Sequence, residues 1–151
     1  MHSAPHTLRW TMAALATAVL AAAPFISHAE GHGFKIVVNE DCPAQSLTRD
    51  QVSRLFLGKE AEWPGGVRAL PVDQREGSPV REAFTRAIHH RSVSAVKLHW
   101  QQAIFSGRGL PPPEASGDAA VLAHVKSQPG AIGYVSATTP TDGVVVATPG
   151  E

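Results

Sequence analysis

Apolar residues recur along this chain in two rhythms, one short and dense, the other at helical spacing. FKIVVN (Phe34–Asn39) is a brief run rich in β-branched residues and predicts a buried strand. After the turn DCPAQ, the segment SLTRDQVSRLFLGK changes period: Val52, Leu55 and Phe56 fall on one helical face. Thr48 and Gln51 have capping-box spacing, Leu47 and Val52 can staple the entry, and Gly58 ends the helix. WPGG (Trp63–Gly66) is a turn, and VRALPV (Val67–Val72) alternates loosely as a second strand.

Helical spacing then returns three times. Ser78 caps a helix that Pro79 opens, with Val80, Phe84, Ala87 and Ile88 as its apolar stripe. Ser92 caps a further helix to Phe105, with Val96, Trp100 and Ile104 inward. SGRGLPPPE (Ser106–Glu114) is a loop, and a helix from Ser116 or Asp118 to Ser127 buries Val121, Leu122 and Val125. AIGYVS and GVVVAT supply two last strands. Strands alternating with helices predict an α/β lobe of two or three layers, a mixed sheet of about four strands flanked by helices.

The N-terminus is a different kind of sequence. MHSAPHTLRW carries one arginine, TMAALATAVLAAAPFI is uncharged and apolar, and SHA at Ser27–Ala29 has small residues where a signal peptidase reads. The pattern predicts a signal peptide over 1–29 and a mature domain over 30–151, periplasmic and with no membrane span after cleavage. The run Met12–Ile26 is short for a bilayer span, which needs roughly 20 residues. Cys42 lies too far beyond it to carry a lipoprotein's lipid.

Cleavage would leave roughly 120 residues, enough for one core. Removing Arg9 from the thirteen Lys and Arg leaves twelve, against thirteen Asp and Glu. This balance offers no footprint for nucleic acid. A lone cysteine forms no internal disulfide, so the fold rests on its core. Neighbouring His89 and His90 point about 100° apart on a helix and do not chelate as a pair. No ligand spacing for a metal, no nucleophile motif and no phosphate-binding Walker loop is present, so neither cofactor nor catalysis is expected.

One stretch carries candidate chemistry. DQREGSPVREAF (Asp73–Phe84) reads as strand end, glycine turn, serine cap and helix start, and a helix N-terminus attracts anions. The candidate ligand-binding residues are Gly77 and Ser78 in the turn, Arg75 beside it, Arg81 in the first helical turn and Arg108 in a glycine-flanked loop. An ordinary capped turn with solvated arginines is the plainer reading of the same residues.

Three ordered motifs together resemble a family. SLTRDQVSRLFLGKEAEW, EGSPVREAF and PGAIGYV are similar to the first helix and tryptophan, the phosphate-loop helix and the return strand of periplasmic phosphate-binding proteins that serve ABC transporters. The resemblance runs from about Lys35 to Ser136 and implies a single periplasmic-binding-protein-like lobe, the second of the family's two. It implies phosphate or another oxyanion as ligand. A second subunit or another periplasmic protein would supply the missing lobe, docking on a face near Asn39 and Ser136.

The loop departs from the family pattern RxDGSGT. Gln74 stands at the arginine position, Pro79 removes a backbone donor and Val80 removes a hydroxyl. The expectation is weak oxyanion binding without chemistry. Its rival is an adaptor that binds a protein partner and no small ligand.

Overall fold

The computed structural model describes residues 33–44 and 46–150; the expected signal peptide lies outside the described residues. The chain runs β1 (Phe34–Val38), β2 (Leu47–Thr48), α1 (Arg49–Phe56), β3 (Leu70–Pro71), β4 (Asp73–Gln74) and α2 (Pro79–His89). It continues through α3 (Val93–Phe105), β5 (Glu114–Ala115), α4 (Asp118–Ser127), β6 (Ala131–Ser136), β7 (Val145–Ala147) and β8 (Pro149–Gly150).

The main sheet has the order β3-β6-β1-β7. β1 is antiparallel to β6 and β7, and β3 is parallel to β6. Because side chains alternate across a strand, β1 and β6 feed two cores. Phe34, Ile36, Val38, Ile132 and Tyr134 join Val52, Phe56, Phe84 and Ile88 of α1 and α2. Val37, Ala131 and Val135 join Val121 and Val125 of α4. The sheet is therefore covered on both faces, which explains why its central strands read as unbroken apolar runs. Gly133 lets α4 approach this closely: a Cβ there would stand 2.6 Å from Val121 and 2.9 Å from Val72.

The mixed four-stranded sheet flanked by helices is as expected, and so are the caps. Thr48 and Gln51 form the capping box, and the hydroxyls of Ser78 and Ser92 accept from the third residues of α2 and α3. Other details differ. VRALPV contributes only Leu70 and Pro71 to the sheet: after Val72 the chain leaves β6, and β4 pairs with β5 in a separate parallel ladder. Pro71, lacking an N–H, is tolerated because β3 is an edge strand.

Ile104, expected inward, is 48 % exposed, and Ala103 takes its place. α3 meets the domain along a narrow stripe of Val96, Trp100 and Ala103, which pack with Leu57 alone into a satellite cluster.

Asn39 and Ser136 do not share a face. In the antiparallel register Phe34 faces Ser136 and Val38 faces Ile132, so the two residues sit at opposite ends of the ladder. Asn39 is buried, its Nδ2 donating to the carbonyls of Val125 and Lys126 at 2.7 and 3.2 Å and so satisfying the last turn of α4. The strand ends that run side by side are Gly33 and Ala137.

Candidate functional site

β4 and β5 bring the candidate residues to the start of α2. Asp73 pairs with Glu114 and Gln74 with Ala115, and Arg75 N–H extends this ladder by donating to the Ala115 carbonyl at 3.0 Å. The chain then turns: Ser78 N–H donates to the Arg75 carbonyl at 3.2 Å, and Gly77 takes φ +86°, a left-handed conformation suited to glycine.

The turn has few free donors. Ser78 Oγ gives its proton to Gln74 Oε1 at 2.7 Å and accepts from Arg81 N–H at 3.4 Å. Pro79 has no N–H, and the Glu82 N–H is taken by the Ser78 carbonyl. Of the amides that a helix start leaves unpaired, that of Val80 remains.

Arg81 is committed elsewhere. Only 7 % exposed, it places Nη2 3.1 Å from Asp73 Oδ2 and Nη1 2.5 Å from Glu114 Oε1, and Nη1 also donates to the Gln74 carbonyl at 2.6 Å. Burial alone would pull the Arg81 pKa down, but Asp73 and Glu114 outweigh it and hold the guanidinium above its ordinary value. For Asp73 burial dominates and raises its pKa, against the opposing pull of Arg81 and of the Tyr134 hydroxyl that donates to its Oδ1. The Tyr134 phenol is pushed well up by burial and by the Asp73 charge.

Gln74 is the residue that sequence reasoning passed over. At 2 % exposure, its Nε2 donates to Asp118 Oδ1 at 2.7 Å and to the Tyr134 carbonyl at 3.1 Å, while Oε1 receives Ser78 Oγ. Asp118 in turn accepts from Ser136 N–H at 3.1 Å and from Thr139 Oγ1. The loop, the start of α4 and the end of β6 are thus tied through one side chain. Its only sequence signal is a glutamine where the resembled family has arginine.

The remaining candidates divide. Arg75 is exposed beside the turn. Arg108 is exposed in the loop after α3 and donates from Nε to Ser106 Oγ at 2.7 Å. A cavity of about 180 Å³ lies against the turn, lined by Glu76, Arg81, Lys97 and Glu114 among others. Its charges are already matched, since Lys97 Nζ sits 3.1 Å from Glu76 Oε2. An anion entering here meets two carboxylates as well as two cations. Among the described residues no three His, Cys, Asp or Glu side chains group to hold a metal, and no helix is long and apolar enough to cross a membrane.

This architecture is also found in part of solved proteins described as phosphate ABC transporter substrate-binding proteins or receptors. No protein-family model matches the sequence, and no curated protein matches it significantly. Solved structures do share its fold. A protein from Clostridium perfringens described as a phosphate ABC transporter substrate-binding protein, with phosphate bound, superposes with TM-score 0.62 at 19 % identity, covering 77 % of this chain and 44 % of that one. An ABC-type phosphate transport receptor from Vibrio cholerae gives TM-score 0.60 at 20 % identity, covering 77 % and 45 %. PstS from Borrelia burgdorferi gives 0.61 at 8 % identity, covering 79 % and 47 %. The chain spans under half the length of these proteins.

Proposed function

We propose that this chain is an exported, non-catalytic relative of the phosphate-type substrate-binding proteins that acts as a single lobe and binds an oxyanion such as phosphate weakly. The observation that carries this reading is the Gly77–Ser78 turn at the start of α2, within a fold shared with proteins described as phosphate receptors. The ligand surface is the Val80 amide and the exposed Arg75, joined by the Ser78 hydroxyl once it releases Gln74 Oε1. Calorimetric titration with phosphate tests it. One wall cannot strip an anion of its water, so a millimolar dissociation constant is expected, about −4 kcal/mol, weakening with salt. Export is tested by intact mass of the periplasmic product, expected to begin at Glu30.

A specific observation favours a second reading. Arg81 is held by Asp73 and Glu114, and Glu76 and Glu114 repel anions from the adjoining cavity. A lobe with its cations so engaged suits a periplasmic adaptor that meets a protein partner and no small ligand. Absence of any phosphate heat at millimolar concentration, with capture of a second copy or a partner by crosslinking from Gly33 and Ala137, would establish that reading instead.

A further inference from the structure

The corner where α2 hands over to α3 carries more positive charge than its acids offset. A cavity of about 370 Å³ opens there between α1 and the end of α2, lined by Arg49, Asp50 and Ser53 of α1, by Lys59 just past it, and by His89 and Arg91. Arg49 is half-buried, and Lys59 and Arg91 are exposed. None of the three has an acidic partner among the described residues, while Asp50 is already engaged by Arg54 at 2.9 Å. Ser53 Oγ lies 2.9 Å from His89 Nδ1, which ties the end of α2 to the middle of α1 and fixes the two sides of the cavity relative to each other. His89 is held neutral down to about pH 4, by burial first and then by Arg91, so the field of Arg91 reaches into the lining.

This place is separate from the Gly77 turn. From Pro79 beside the turn to His89 at the cavity, α2 runs 11 residues, about 16 Å at 1.5 Å per residue. The cavities at its two ends share no lining residue. Their charges also differ: Glu76 and Glu114 balance Arg81 and Lys97 at the turn, whereas at the corner Asp50 alone stands against Arg49, Lys59 and Arg91. Arg91 further lines a neighbouring cavity of about 570 Å³ with Arg86 and Glu82, again two cations to one acid. Cations near a helix C-terminus serve its negative end, and this accounts for Arg86 and Arg91. It does not account for Arg49, which opens α1 where the same rule favours an acid.

The spacing of the cations selects a ligand class. Arg49 opens α1 and Lys59 lies past its end, a backbone separation on the order of 15 Å. A single tetrahedral anion could satisfy all three cations only if their like charges crowded together. A chain of linked phosphates leaves them apart and gives each its own oxyanion group, and a guanidinium meets phosphate oxygens through paired N–H donors. The volume lies within the roughly 300–1,000 Å³ of small-ligand sites, and a concave site suits a soluble molecule better than a flat membrane surface. We propose that this cavity binds a short linear oligophosphate, with Arg49, Lys59 and Arg91 each meeting a different phosphate group. Binding here requires nothing of the Gly77 turn, so either site can exist without the other.

Inorganic tripolyphosphate is the probe, titrated calorimetrically in metal-free buffer at low salt. A dissociation constant near 0.1 mM, on the order of tenfold tighter than orthophosphate, is expected, weakening as salt is added. Arg91→Gln and Lys59→Gln should each weaken it about threefold or more, both at exposed positions where the fold is not at stake. Lys126→Gln removes the same charge from α4, on the other face of the sheet, and should weaken it less than about 1.5-fold. Absence of saturable binding up to about 10 mM tripolyphosphate would overturn the proposal. So would orthophosphate binding as tightly, Lys126→Gln costing as much as Arg91→Gln, which would reduce the effect to net charge, or Arg75→Gln costing as much as Arg91→Gln, which would put the anion at the turn. Sedimentation of the protein with phosphatidylglycerol vesicles, unaccompanied by tripolyphosphate binding, would overturn it as well by assigning the cations to a membrane.

Discussion

Arg81 and Asp73 form an ion pair beneath the turn, Nη2 to Oδ2 at 3.1 Å, with each side chain about nine-tenths shielded from solvent. Removing one partner of such a pair leaves the other charged, buried and alone. Arg81→Met should therefore lower unfolding stability by about 3 kcal/mol, read by urea denaturation. Arg75→Gln, at an exposed position, should change stability by less than about 0.5 kcal/mol while reducing phosphate binding. An Arg81→Met protein as stable as the original would show that the pair contributes nothing. The contrast separates an arginine that supports the loop from one able to meet a ligand.

Gln74 supports a second prediction. Gln74→Leu removes the donor to Asp118 and the acceptor for Ser78 from a site closed to water, leaving polar groups unpaired. At about 1–3 kcal/mol for each unpaired group, a loss near 3 kcal/mol is expected. Thermal melting checks it, and a shift under about 2 °C would mean that water or a rearranged Asp118 replaces the lost bonds.

Much of this frame was legible because its signals are local. The Thr48–Gln51 box, the Ser78–Pro79 start and the Ser92 cap each depend on residues three or four apart, and all three formed as read. The Val121 and Val125 face followed from helical spacing. The bonds of Gln74 could not be read the same way: its partner Asp118 is 44 positions distant. Arg81 read as a surface arginine because Asp73 and Glu114 converge on it only once β4 pairs with β5, and a two-residue strand following three prolines leaves no periodicity to detect. Ile104 was misplaced because a helix-period stripe says which residues share a face and not how wide a face its neighbours cover.

His89 supplies a pH dependence. Burial, reinforced by the nearby Arg91, His99 and His90, lowers its pKa from 6.5 to about 4, and Nδ1 lies 2.9 Å from Ser53 Oγ. The unfolded chain thus takes up a proton near pH 6.5 that the folded chain refuses until about pH 4. The associated stability is fully present above pH 6.5, is lost as pH falls toward 4, and changes no further below that. The total is about 3 kcal/mol. Asp73, its pKa raised, works in the opposite direction, so the comparison must be between variants. His89→Gln should be less dependent on pH between 7 and 4 than the original protein in denaturant melts, and identical slopes would remove His89 as the cause.

The loop itself yields the last prediction. Pro79 sits at the first position of α2 and Val80 at the second, where the resembled family has glycine and threonine. Pro79→Gly restores an amide at the helix start, and Val80→Thr restores a hydroxyl beside the amide that remains. Each new charge-assisted hydrogen bond to an anion contributes about 1.5–3 kcal/mol, so the double variant should bind phosphate at least about tenfold more tightly than the original. The same substitutions cost helix stability, because proline is preorganised for that position and glycine is not. The melting temperature should therefore fall without phosphate and recover as phosphate is added, since a ligand that binds only the folded state raises its stability by mass action. Calorimetry of the original, the double variant and a Ser78→Ala protein gives the three affinities. Tightening in the double variant and loss in Ser78→Ala would place the anion at this turn. Equal affinities in all three would place it elsewhere, and sub-micromolar binding by the original would mean that Arg75 and the Val80 amide suffice where the charge balance around Glu76 and Glu114 says they should not.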